Sequence, residues 1–162
     1  CYALRPRTSL SLQTYPPQPM HVHLERINDA VQFRGTNGHH TITIASSQEQ
    51  EGISPMELVA LATGGCSSID ILLILEKQRQ KVTGLQVDVD ATRKEEGPSS
   101  EFTAVHLTFA AEGPDLDPAK VQRAIDLSLA NYCSVSKMVE KTATITYTLV
   151  VNGAEIAANA TA

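Results

Sequence analysis

Ser54-Pro-Met-Glu-Leu-Val-Ala-Leu-Ala-Thr-Gly-Gly-Cys66-Ser-Ser-Ile-Asp70 decides how this chain folds. Ser54 is a good N-cap, Pro55 suits the first helical position, and Glu57 completes a capping box, so a helix starts here. The pattern continues to about Lys81 and ends in the polar run Glu76-Lys-Gln-Arg-Gln-Lys81. Its middle is apolar on almost every face, so other layers must cover it. Residues 58–75 have about the length of a membrane span. They also carry Gly64, Gly65, Cys66, two serines and Asp70. A buried central helix accounts for them better, and no membrane association is expected.

Working outward, apolar residues alternate with polar ones on both sides of this helix. Val22, Leu24 and Ile27 begin a strand, and residues 30–33 and 41–45 make two more. Residues 34–38, Arg-Gly-Thr-Asn-Gly, read as the turn between them, and residues 46–52 as a polar loop. After the helix, Leu85, Val87 and Val89 mark one strand and Val105, Leu107 and Phe109 the next. Residues 93–100 form their exposed connection. Asp117-Pro118 starts a second helix with a stripe at Val121, Ala124, Ile125, Ser128 and Leu129. Tyr132-Cys133-Ser134 breaks it, and Val135, Met138 and Val139 form a short third helix. Ile145, Tyr147, Leu149 and Val151 make the final strand. The Ala- and Asn-rich residues 153–162 are expected to be a flexible tail.

A chain of 162 residues with 42% hydrophobic and 19% charged residues can bury one real core. No repeat or linker divides it, so the expected architecture is one α+β domain. The net charge of −5 argues against a nucleic-acid surface, which needs clustered Lys and Arg. The absence of tryptophan leaves little for base stacking. Residues 1–19 are rich in Arg, Ser and Pro and contain no acid, while Met20 opens the periodic pattern. They read as a tag, scar or miscalled extension, non-native or disordered; a transit peptide has the same composition.

Cys66 and Cys133 are the residues with chemistry to offer. Two thiols without a secretory signal suggest redox chemistry before a structural staple. Cys66 follows a glycine pair inside a helix, at a propensity cost of about 2 kcal/mol relative to alanine. Close approach of another backbone or a ligand beside the thiol would explain it. Cys133 lies at a helix start, where free N–H groups favour a thiolate. The two are 67 positions apart, so only the fold can join them. No CxxC is present, which removes thioredoxin-type exchange and most zinc frameworks. Inert packing is the competing reading for either cysteine alone. Asp70, one turn after Cys66, is a buried acid or a simple helix polar contact. His21, His23, His39, His40 and His106 show no spacing typical of metal ligands, and no metal is expected.

Both cysteine segments, together with Ser54-Pro-Met-Glu-Leu-Val-Ala, resemble the OsmC/Ohr family of osmotically inducible and organic hydroperoxide resistance proteins, specifically its OsmC-like branch with Gly-Gly-Cys-Ser. The resemblance spans roughly residues 20–151, making residues 20–152 the expected OsmC-like domain. It implies an α+β fold with antiparallel sheets wrapped around a long central helix. It also implies an intertwined homodimer with sites at the subunit interface. In the family's peroxidases the cysteine matching Cys66 attacks an organic hydroperoxide and becomes a sulfenic acid. The cysteine matching Cys133 then condenses with it to a disulfide. External thiols, often lipoyl groups, restore the enzyme, so no resident cofactor is expected. The implied setting is cytoplasmic defence against oxidative or osmotic stress.

Two activating groups depart from that pattern. Peroxidase members carry Pro-Glu at the start of the long helix; here Met56 follows Pro55. Glu57 lies one position later, about 100° around the helix. It is either a catalytic acid or simply the capping-box residue. Arg34 is the one arginine placed to match the family's activating arginine, or it is an exposed turn residue. An apolar pocket lined by Met56, Leu61 and a second subunit is expected. The rival to the peroxidase is a non-peroxidase member binding a small apolar or thiol ligand, and after it a purely structural dimer.

Overall fold

The computed structural model describes residues 20–46, 51–97 and 99–161. The reading of residues 1–19 lies outside them, as do residues 47–50 of the expected loop and residue 98 of the expected connection.

β1 (His23–Arg26), β2 (Gln32–Thr36) and β3 (Thr41–Ala45) form an antiparallel sheet in that order. Arg34, expected in a turn, lies inside β2 opposite Glu25 and Thr43. The turn comes later, where the Asn37 side-chain oxygen accepts from the backbone N–H groups of His39 and His40 at 3.0 and 2.9 Å. An Asx residue offers the backbone this local alternative to the ladder, so the strand runs on until it.

α1 (Pro55–Lys77) starts as its cap residues dictate. Ser54 Oγ accepts from the Glu57 N–H, and a Glu57 carboxylate oxygen accepts from the Ser54 N–H at 2.7 Å. The helix stops at Lys77 rather than about Lys81. Arg79 takes a left-handed φ of 58°. Its N–H reaches the Glu76 carbonyl, and the Gln80 N–H reaches that of Leu75. This is a Schellman termination, and it uses arginine where glycine is the usual signal.

β4 (Gly84–Arg93) and β5 (Phe102–Glu112) pair antiparallel. The chain then crosses over through α2 (Pro118–Leu127), a π-helical turn (Ser128–Tyr132) and α3 (Ser134–Val139). Because of that crossover, β6 (Thr144–Val151) runs parallel to β5, so this sheet is not antiparallel throughout. The residues from Gly153 are not a loose tail. β7 (Ala154–Thr161) pairs antiparallel with β6 and completes the order β4-β5-β6-β7. Asn152 and Gly153 have φ of 48° and 81°, both left-handed, as a two-residue hairpin turn requires.

One face of this sheet carries the core. Val105, Leu107, Phe109, Tyr147 and Leu149 point to it and meet Ile71 and Leu75 of α1 and Val121 and Ile125 of α2. Each such side chain contributes about 1.5–3 kcal/mol by leaving water. α1 buries the row Thr63, Ser67, Ile71 and Leu75, spaced four apart, which is one helix face. A Cβ on Gly64 would stand 2.9 Å from Val89 Cγ2. The first glycine of the pair thus serves the approach of α1 to β4. α1 exposes Val59 near its start and, on its other side, Leu61, Ile69 and Leu72. The described residues of this chain cover the helix on one side only. By length and composition alone α1 could cross a membrane.

Candidate functional site: two thiols and a carboxylate

Beside the row that brings α1 onto the sheet, Cys66 and Asp70 stand one turn apart in a neighbouring row and face the end of α2. There the helix widens into the π-helical turn. The Cys133 N–H bonds the Ser128 carbonyl at 2.8 Å, five residues back. Such widened turns recur at functional sites. The turn delivers Cys133 as the N-cap of α3, where its sulfur accepts from the Ser136 backbone N–H (3.4 Å) and hydroxyl (3.1 Å).

The two sulfurs and an Asp70 carboxylate oxygen all lie within 4.8 Å of one another. Both cysteines are free; Cys66 is half-buried and Cys133 fully buried. Burial pushes the Cys133 thiol up. The two Ser136 bonds pull it down, and the neighbouring Cys66 adds to the rise. Protonated Cys133 beside half-exposed Cys66 is an arrangement in which solvent reaches one sulfur and not the other. Burial likewise raises the Asp70 carboxyl, opposed by a hydrogen bond from Ser128. Ser128 Oγ lies 3.2 Å from Asp70 Oδ2 and 3.4 Å from the Ser67 carbonyl. Asp70 therefore bonds across to another element rather than along its own helix.

The other expected site residues lie elsewhere. Glu57 is committed to the capping box, and its bonds to Ser54 hold its carboxyl below the usual range. Arg34 stands exposed in β2 with Glu25 at 4.0 Å. No hydrogen bond joins it, or any other basic side chain, to either thiol among the described residues. Met56 lines a cleft of about 560 Å3 with Ala60, Val89, Ala91, Arg93 and Phe102, at the N-terminal end of α1. Leu61 is exposed instead. His106 bonds Thr146 (2.8 Å) and Thr148 (3.1 Å) along its own sheet. None of the histidines joins the thiol cluster among the described residues.

The sequence assigns no site role to Ser128 or Ser136. Ser128 carried a signal, a polar residue within the apolar stripe of α2; Ser136 carried none. Two sulfurs and a carboxylate at this separation can exchange electrons with an oxidant or supply donors to a metal ion.

Comparison with known proteins agrees with the fold. The profile of the OsmC-like protein family matches residues 47–148. Protein YhfA of Escherichia coli K12 is 44% identical over 108 residues, covering 67% of this chain and 80% of that one. A hypothetical protein from Aquifex aeolicus VF5, known by crystal structure, superposes with a TM-score of 0.75 at 26% identity, over 84% of this chain and 98% of that one. An organic hydroperoxide resistance protein from Elizabethkingia anophelis superposes with a TM-score of 0.65 at 13% identity, over 85% and 99%. At that identity the likeness speaks for the fold alone. With its family profile spanning both cysteines and its long apolar helix laid on a four-stranded sheet, this chain belongs to the OsmC-like family.

Proposed function

We propose that this protein is a cysteine-based peroxidase that reduces organic hydroperoxides in cytoplasmic defence against oxidative or osmotic stress. The reading rests on two free thiols, 67 positions apart, meeting within 4.8 Å with one half-exposed and the other buried. Organic hydroperoxide resistance proteins of the same fold lend it support. The Cys66 thiolate attacks the distal peroxide oxygen, an S–O bond forms, the O–O bond breaks, and the alkoxide leaves as the alcohol after taking a proton. The Cys133 sulfur then attacks the Cys66 sulfenic acid, forming the disulfide and releasing water. An external dithiol, such as a lipoyl group, reduces the disulfide by exchange.

The proposed working unit is a homodimer. The exposed apolar side of α1, with Leu61, Ile69 and Leu72, would then be covered by a second copy. Arg34 enters this reading as the thiolate's cation when a second copy brings its N-terminal sheet against α1. The test is reductant-coupled consumption of cumene hydroperoxide or tert-butyl hydroperoxide. Cys66→Ser is expected to lose turnover entirely; unchanged consumption by that variant ends the reading.

A second reading is supported by the absence of any hydrogen bond from a basic side chain to Cys66 among the described residues, and by Met56 in place of an acid. The protein would then bind a small apolar or thiol ligand in the cleft beside Met56. A retained ligand with no consumption of either hydroperoxide by the reduced protein would favour it.

A further inference from the structure

We propose that Cys66, Cys133 and Asp70 form a binding site for a soft divalent metal ion, zinc(II) above all, on the reduced chain. Their two sulfurs and one carboxylate oxygen already lie within 4.8 Å of one another. Around four-coordinate zinc, with bonds of about 2.3 Å to sulfur and about 2.0–2.2 Å to oxygen, such donors stand about 3.5–3.8 Å apart. Adjustments within the side chains cover the difference. Cys66 and Asp70 project from one face of α1, and Cys133 comes from the end of the crossover, so the donors stand on two packed elements.

The surroundings are those of a supported donor set. Ser136 directs its backbone N–H and its hydroxyl at the Cys133 sulfur, and Ser128 bonds Asp70. Partners of this kind orient ligands and tune their basicity. Thiolate donors select zinc over magnesium and calcium, which prefer oxygen alone. Cys133 is closed off from solvent while Cys66 is half-exposed, so the ion enters on the Cys66 side, where water supplies the fourth ligand. The ion would also bring the positive charge that no hydrogen-bonded basic side chain among the described residues brings to these sulfurs. The same sulfurs cannot hold an ion and a disulfide together, so zinc and oxidant compete for them.

The test uses the full chain, reduced and stripped of metal. Zinc is titrated against a chromophoric chelator, and cobalt(II) serves as the spectroscopic probe. One ion per chain is expected, with a sulfur-to-cobalt charge-transfer band that Cys66→Ser weakens sharply. Asp70→Asn is expected to lower zinc affinity about tenfold or more without changing the circular dichroism. Cys133→Ser should also lose the ion. Should burial make that variant fold poorly, Cys66→Ser and Asp70→Asn decide the matter. Zinc affinity equal in wild type and Cys66→Ser, or a cobalt complex without sulfur charge transfer, overturns the site. Peroxide turnover is read separately: a chain that holds zinc and consumes no hydroperoxide supports the site, and the reverse result refutes it.

Discussion

Cys66 and Cys133 differ in one physical respect, access, and the proposed peroxidase assigns their roles by it. A half-exposed sulfur can meet a substrate, and a fully buried one can meet only its neighbour. On the proposed peroxidase reading, Cys133→Ser is expected to complete the first oxidation and stall there. A sulfenic-acid trap should label Cys66 stoichiometrically in that variant after one equivalent of hydroperoxide, and label wild type far less. Tyr147 offers a test of the core. Its hydroxyl donates to Asp126 at 2.5 Å, and burial together with that carboxylate pushes its pKa up to about 12. The folded chain then holds the phenolic proton where the unfolded chain, with a tyrosine near 10, has lost it. Stability from this group is present in full below pH 10 and falls as pH rises towards 12. Tyr147→Phe should flatten that alkaline slope and cost about 1–2 kcal/mol at neutral pH, read by denaturant unfolding across the pH range.

At the scale of elements, α1 carries two glycines with different neighbours. Gly64 faces Val89, and Gly65 has no atom within 4 Å of where a Cβ would stand. Alanine gains about 1 kcal/mol of helix propensity at either position. At Gly64 a crowded core contact opposes that gain by about 1–3 kcal/mol. Gly64→Ala should lower the melting temperature by a few degrees. Gly65→Ala should leave the single chain intact or slightly stabilised while weakening any self-association through that face. Thermal unfolding and sedimentation of the pair separate the two effects. The helix ends show the same division between local and distant causes. The start of α1 follows from Ser54, Pro55 and Glu57, whereas its stop depends on Arg79 tolerating a left-handed backbone.

For the whole molecule, the main feature is how unevenly α1 is covered. Only 28% of its most apolar stretch is buried. The β1–β2–β3 sheet leaves Leu24 and Ile42 exposed as well, and Val22 just before it. Apolar surface on this scale marks an interaction site. A homodimer through α1 predicts that Leu61→Glu with Ile69→Glu yields a monomer in sedimentation equilibrium, with loss of stability at low protein concentration. A wild-type chain that sediments as a monomer at micromolar concentration would contradict it.

Alternation, capping residues and the apolar run already determined most of the elements, because these are short-range properties of neighbouring side chains. The turn at Asn152-Gly153 went unread, because the alanine- and asparagine-rich composition beyond it suggested a loose tail and hid β7, which exists by pairing with β6. The two cysteine segments were distinctive before any fold was known. Only the tertiary structure decided that Cys66 and Cys133 meet, that Asp70 and Ser128 stand with them, that Glu57 is held in the helix cap and that Arg34 lies exposed in β2. The physical reason is sequence separation: contacts across 58 to 67 positions are set by how α1 and the crossover pack on one sheet, and no local pattern encodes that.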